Sequence, residues 1–321
     1  MTDLRVVLGT LTLNNPVLVA AGTFGYGLEF LSAIRLERLG ALVTKTLTRQ
    51  ACDGNPPPRL VETPSGMLNA VGLQNIGVEA FVTEKLPTLR RCRVPIIASL
   101  LGESPEEVAE MAQLLDRAEG VAALELNLSC PNLKPGQGVG DEGRGNSGVP
   151  VPPLMVAQDP DATGSMVRAA RAQTRKPLIA KLSPDVTDLA PIAQAAERAG
   201  ADALTIGNTF RGMSVDPETR RSRLGALTGG LSGPAIRPLA VYRVWYTAQH
   251  VAIPVIGVGG IVRASDALEF FLAGASAVAV GTANFADPRA PLRVLAGLEQ
   301  YLRRHGLGSL RELRLVASQP S

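Results

Sequence analysis

Cys130 stands between two carboxamides in the run Asn127-Leu128-Ser129-Cys130-Pro131-Asn132, where the apolar stretch from Val121 to Leu128 gives way to a loop rich in Gly and Pro. Asn127 and Asn132 can donate and accept hydrogen bonds to a planar polar ligand. Cys130 is a titratable nucleophile or base, and Pro131 stiffens the turn while removing a competing N–H. A free cysteine is commonly one more small buried hydrophobe. Two amides so close in sequence argue for chemistry instead, because a buried Asn is costly unless its polar atoms find partners, and at a strand end the partner can be a ligand.

These residues need elements to position them. Eight short apolar runs read as strands: Val17 to Ala21, Ala41 to Thr46, Pro95 to Leu100, Ala123 to Leu128, Leu178 to Leu182, Ala203 to Gly207, Pro254 to Val258 and Ala277 to Gly281. Helical patterns separate most of them. Four joints repeat one device, a helix closed by Gly before the next strand: Gly40-Ala41, Gly120-Val121, Gly200-Ala201 and Gly274-Ala275. Helix starts are equally legible, as in Ser104-Pro105-Glu106-Glu107, a cap and capping box, and Asp287-Pro288. Strands alternating with helices over 321 residues predict an α/β fold, a (β/α)8 TIM barrel forming a single domain over 1–321. A doubly wound open sheet is the second choice. Met1 to Asn15 reads as a short hairpin, Leu4 to Leu8 and Leu11 to Leu13, plugging the barrel floor. Leu133 to Gln158, with six Gly and four Pro, reads as a long active-site loop that could act as a lid.

In such a barrel the chemistry lies at the carboxyl ends of the strands. Lys45-Thr46 end the second run, Ser99 lies in the third, Asn127 in the fourth and Lys181 in the fifth, and Asn208-Thr209 follow the sixth. Lysine is seldom buried without a charge to meet, so Lys45 and Lys181 read as functional. Gly259-Gly260 after the seventh run and Gly281-Thr282 after the eighth could form a phosphate site from backbone N–H groups. Gly229-Gly230-Leu231-Ser232-Gly233-Pro234 reads as a plain loop or as a support for the same phosphate. Both histidines, His250 and His305, fall near helix ends, which leaves Cys130 as the candidate base, its ordinary pKa of about 8.5 being adjustable downward beside cations.

Composition narrows the class further. Hydrophobic residues make up 45% and aromatics 4%, which suits strands buried beneath helices better than a sandwich built on aromatic pairs. Lys plus Arg exceed Asp plus Glu by 32 − 29 = 3, and the basic residues are dispersed, so no nucleic-acid surface is expected. The N-terminus carries no signal pattern and no run is long enough to cross a bilayer, so a soluble cytoplasmic protein without membrane contact is expected. Cys52, Cys92 and Cys130 fit neither a disulfide framework nor a metal or iron–sulfur site, and no metal is expected.

Taken together, five ordered blocks resemble the class 1 dihydroorotate dehydrogenases over the whole chain: Asn69-Ala70-Val71-Gly72-Leu73-Gln74-Asn75, Asn127 to Asn132, Lys181-Leu182-Ser183-Pro184, Gly229 to Pro234, and Ala279-Val280-Gly281-Thr282-Ala283-Asn284-Phe285. The first and last are similar to the NAD-linked class 1B, whose catalytic chain holds FMN. The resemblance implies that Lys45, Asn69, Ala70, Val71, Gly72, Leu73, Asn127, Asn132, Asn208 and Thr209 touch orotate, with Cys130 as the base that takes the C5 proton of dihydroorotate. It implies that FMN is held by Lys45, Thr46, Asn127, Lys181, Gly233, Gly259, Gly260, Gly281 and Thr282. Ala21, Ser99 and Gly207 would be further flavin neighbours, where the family usually has Ser, Asn and a larger aliphatic residue. FAD and a 2Fe-2S cluster are expected only on a partner subunit, in a heterotetramer of two plus two built on a dimer of this chain. The fumarate-linked class 1A enzyme is the nearest alternative. A Schiff-base lyase using Lys45 or Lys181 is a more distant one, and a non-catalytic scaffold subunit would have no use for Cys130.

Overall fold

Alternation with a period of two decides where each strand residue points. In the computed structural model, which describes residues 2–129 and 155–313, eight strands pair in parallel into a closed barrel. In chain order they are β3 (Val17–Val19), β4 (Ala41–Val43), β7 (Ile96–Leu100), β8 (Val121–Asn127), β9 (Leu178–Leu182), β10 (Ala203–Ile206), β15 (Val255–Val258) and β16 (Ala277–Val280), with β16 closing on β3. Leu18, Val43, Ile97, Ile179 and Ile256 pack with Ala123, Ala203 and Ala279 in one cluster along the axis. Their neighbours Leu42, Ile96, Leu124, Leu178, Leu204 and Val278 belong to the second cluster, between strands and helices.

β1 (Val6–Leu8) and β2 (Leu11–Leu13) form the expected antiparallel hairpin, Val6 opposite Leu13. Val6, Leu8 and Leu13 join the inner cluster and close the barrel floor. Ser104 caps the helix Pro105–Arg117 by accepting from Glu107 N at 3.2 Å, whereas the Glu107 carboxylate accepts from Glu103 N, one residue before the cap. The last long helix, Ala290–His305, starts after Asp287-Pro288 rather than at it, with Asp287 accepting from Arg289 N at 2.8 Å. Gly120, Gly200 and Gly274 take the left-handed conformation expected at their joints, and Gly40 does not.

Two expectations need correction. Several strands stop short of the predicted ends, so that Lys45 and Thr46 lie beyond Val43, where the chain has already left the ladder toward the mouth. The Gly229 to Ser232 segment is a strand, β14 (Gly229–Ser232), not a loop. With β5 (Leu60–Thr63), β6 (Gly66–Asn69) and β11 (Phe210–Gly212) it forms a four-stranded antiparallel sheet in the order β11-β14-β6-β5. A side chain at Gly230 would occupy the space of Thr209 Oγ1, so the bare backbone is what lets Thr209 lie against this sheet. Of the predicted loop Leu133 to Gln158, only Met155 to Gln158 fall among the described residues; they form a short turn whose Ala157 N donates to Leu128 O at 2.9 Å. The lid reading lies outside the described residues.

The turn after β15 is held by one buried carboxylate. Asp266, 4% exposed, accepts from Val262 N and Arg263 N at 2.9 and 3.0 Å and from Arg237 Nη1 at 2.5 Å, tying this turn to the helix Arg237–Ala248. Removing Asp266 leaves two N–H groups unmet and the partly exposed Arg237 with Glu269 alone, at 3.3 Å. Asp266→Ala should therefore lower unfolding stability by about 3 kcal/mol, read as a lower urea midpoint at unchanged slope; a midpoint equal to wild type would mean that the turn does not need this carboxylate.

Candidate active site

The carboxyl ends of the barrel strands open into a cleft with about 1010 Å³ of empty space, open solvent at its mouth included. The antiparallel sheet walls one side through Leu60, Met67, Asn69 and Ser232. Barrel strand ends and their turns wall the other through Thr46, Lys181, Gly259, Gly260, Gly281 and Thr282.

A chain of hydrogen bonds crosses the mouth from strand to strand. Ser99 Oγ and Thr46 Oγ1 lie 2.9 Å apart, Asn127 Nδ2 donates to Thr46 Oγ1 at 3.1 Å, and Ser129 Oγ donates to Asn127 Oδ1 at 3.1 Å. Asn208 Nδ2 donates to Ser129 O and Oγ at 2.9 Å each, and its own Oδ1 accepts from Thr209 N at 2.7 Å. Ser99, Thr46, Asn127 and Ser129 are buried. Each amide thus has a fixed orientation before any ligand arrives, which is the preorganisation a polar planar ligand needs.

Lys181 reaches the cleft from β9 with 5% of its surface exposed, and Lys45, beside Gly22, reaches it from beyond β4. No acidic residue lines the cleft among the described residues. Two lysines in a lining that holds no acid among the described residues favour an anionic ligand. Gly259 and Gly260 both have positive φ, and a Cβ on Gly260 would stand 2.7 Å from Arg237 Cβ and 2.9 Å from Gly233 O. Only glycine fits that turn, and it presents bare backbone to the cleft.

Of the residues selected from sequence, Ala21, Lys45, Thr46, Asn69, Val71, Gly72, Leu73, Asn127, Lys181, Gly207, Asn208, Thr209, Gly233, Gly259, Gly260, Gly281 and Thr282 all line this one cleft. Two do not. Ala70 is fully buried against Leu68 and Leu224, on the far face of the same extended segment, and Ser99 sits behind Thr46, acting on the cleft only through it. Cys130 and Asn132 lie outside the described residues. Sequence reasoning missed Leu60, Met67 and Phe285, which line the mouth. Phe285 carried a signal, since it ends the last of the five blocks quoted above. Of the other thiols, Cys52 Sγ donates to Gly72 O at 3.5 Å, and burial, with Glu37 nearby, pushes the Cys92 thiol pKa up.

The family model for dihydroorotate dehydrogenase matches residues 3–302. The chain is 50% identical over 311 residues to the catalytic subunit of dihydroorotate dehydrogenase B (NAD(+)) from Geotalea daltonii, covering 97% of each chain. It is 52% identical over 308 residues to the protein of the same name from Desulforudis audaxviator, covering 96% of this chain and 95% of that one. The crystal structure of DHODH from Eimeria tenella in complex with ferulenol superposes with a TM-score of 0.76 at 24% identity, over 98% of this chain and 88% of that one; it has the same fold.

Thr46 is the joint of the hydrogen-bonded chain, and Thr46→Val keeps its shape while leaving Ser99 and Asn127 each without that partner. The loss should cost about 1–3 kcal/mol in urea unfolding with the far-UV spectrum unchanged. A Thr46→Val protein as stable as wild type would show that the chain does not hold Asn127 in place.

Proposed function

The chain belongs to the dihydroorotate dehydrogenase family, and from that premise we propose that it oxidises dihydroorotate to orotate with bound FMN, as the catalytic subunit of the NAD-linked type. One observation carries the reading: a cleft with no acid among its described lining residues, in which two lysines and a preorganised row of amides face a glycine-built turn. Dihydroorotate is an anion whose ring is a row of alternating N–H and C=O groups, so it asks for cations and carboxamides together.

The residues present fit FMN. The bare backbone of Gly259-Gly260, with Gly281-Thr282 and Gly233, would hold its phosphate. Thr46, Asn127 and Lys181 would hold the ring, with Ala21 and Gly207 leaving room at its edges. When bound, FMN supplies the two-electron acceptor that no side chain can provide.

The protein's own part is binding, orientation and proton removal. Lys45 would pair with the substrate carboxylate, while Asn69, Asn127, Asn208 and Thr209, joined by Asn132, would fix the ring by its N–H and C=O groups. Asn127 and Asn208 are held by Ser129, the residue immediately before Cys130 in the chain. Cys130 would take the C5 proton, a role carried over from the Asn-Leu-Ser-Cys-Pro-Asn block. Lys181, at the wall of the cleft, would favour electron-rich flavin electrostatically. Electrons would leave through a partner subunit that carries FAD and a 2Fe-2S cluster, in a two-plus-two assembly built on a dimer of this chain. Among the described residues no helix is long and apolar enough to cross a membrane, and we place the reaction in the cytoplasm.

The purified chain should be yellow, release FMN on acid treatment, and bleach when dihydroorotate is added without oxygen. A folded protein that carries no flavin, or flavin that dihydroorotate leaves oxidised, would overturn the reading. Alone, the chain should reduce NAD⁺ poorly; rapid NAD⁺ reduction without a partner would remove the proposed electron-transfer subunit.

Cys130→Ala should retain FMN and slow single-turnover bleaching by roughly 10²- to 10⁴-fold, the range of a positioned proton acceptor. Bleaching at the wild-type rate would place the base elsewhere.

A further inference from the structure

Among the described residues, the mostly apolar barrel interior holds one acid. Glu125 points to the axis from β8, 3% exposed, in a wall otherwise built by Leu18, Val43, Ile97, Ile179 and Ile256. One carboxylate oxygen accepts from Thr205 Oγ1 at 2.9 Å, and the other accepts no hydrogen bond from any described residue. Thr205 lies on β10 directly opposite Lys181 on β9, so Glu125, on the far side of β9, spans that strand to reach the level of Lys181. Glu125, Thr205 and Lys181 line one small inner cavity beneath the cleft, with room for a single water. Among the described residues, Lys181 is also the one polar side chain that lines both this cavity and the cleft above it.

A buried carboxylate and a buried ammonium are each costly alone, and both costs fall when the two charges face each other across a bridging water. We propose that Glu125 is the counter-ion of Lys181: anchored on Thr205, it faces the ammonium from below through one water and sets how much positive charge Lys181 presents at the cleft. Glu125 is thus a positioning residue that acts through Lys181 and touches neither ligand. The inference rests on the flavin reading of the cleft, because Lys181 would then stand between the acid and the ring. With the carboxylate present the charge of Lys181 is partly offset, and reduction adds electron density beside a cation that is already partly satisfied. Without it, the full charge of Lys181 answers to the flavin.

The test uses Glu125→Gln, which keeps the shape and removes the charge, with FMN content measured before anything else. At a fixed potential set by a dye couple, Glu125→Gln should raise the ratio of reduced to oxidised flavin at least fivefold over wild type. Thr205→Val keeps the charge but frees the carboxylate to lean fully on Lys181, so it should shift the ratio the other way; it also stands in should Glu125→Gln fail to fold. Wild-type protein without FMN would sink the flavin reading itself. FMN bound in all three proteins with ratios within twofold of each other would leave that reading standing and overturn the role of Glu125, as would a ratio that falls in Glu125→Gln.

Discussion

Closure of the parallel ladder is the constraint from which the rest of the structure follows. Each of the eight barrel strands is paired on both edges, so no strand can shift by one residue without exchanging its axis-facing set for its helix-facing set. Alternate residues are thereby committed to the axis or to the helices, and the axis has room for only a few side chains per level. Small residues such as Ala123, Ala203 and Ala279 are needed there beside Leu18, Ile97 and Ile256. At the floor the hairpin completes the apolar packing. At the opposite end the strand ends open into the cleft, and polar side chains can be held there at fixed positions by one another.

Those polar side chains are arranged so that the protein meets most of its own demands first. Thr46, Asn127, Ser129 and Asn208 satisfy one another around a quarter or more of the rim. A site built this way spends little on reorganisation when a ligand binds, since the dipoles are already aimed. The charged groups follow a different rule. Lys45 and Lys181 line the cleft, Lys181 above the Glu125 carboxylate, while Asp266 and Arg237 meet each other behind it. An ion pair ties elements together behind the cleft, and ammonium groups line its wall.

What could be read from sequence was local, and what could not was long-range. The strand runs, the Ser104 cap and the floor hairpin each depend on neighbours a few residues away. The antiparallel sheet depends on Asn69 meeting Gly230, 161 positions later, and Gly229-Gly230 has none of the β-branched character that marks a strand. Ala70 was placed with its neighbours because the block was read as a unit, although alternation turns its side chain from the cleft. Glu125 passed as part of an apolar run. Its spacing of two from Asn127 puts both on the inward side of one strand, a signal present in the sequence all along. The block that carries Cys130 and Asn132 was the most informative in sequence and lies outside the described residues.

The antiparallel sheet draws its strands from two excursions, one after β4 and one after β10. Around the barrel β10, β15, β16, β3 and β4 are successive neighbours, so the two excursions leave from diametrically opposite staves of an eight-staved hoop. Joined by the β6 and β14 pairing, they form a crossbar over the opening. A hoop braced across its diameter resists being squeezed into an oval, and it shares any push at one end of the bar with the other. A lineage that lengthened or shortened one excursion would have to refit its opposite number, so these two distant stretches of chain are bound to change as one.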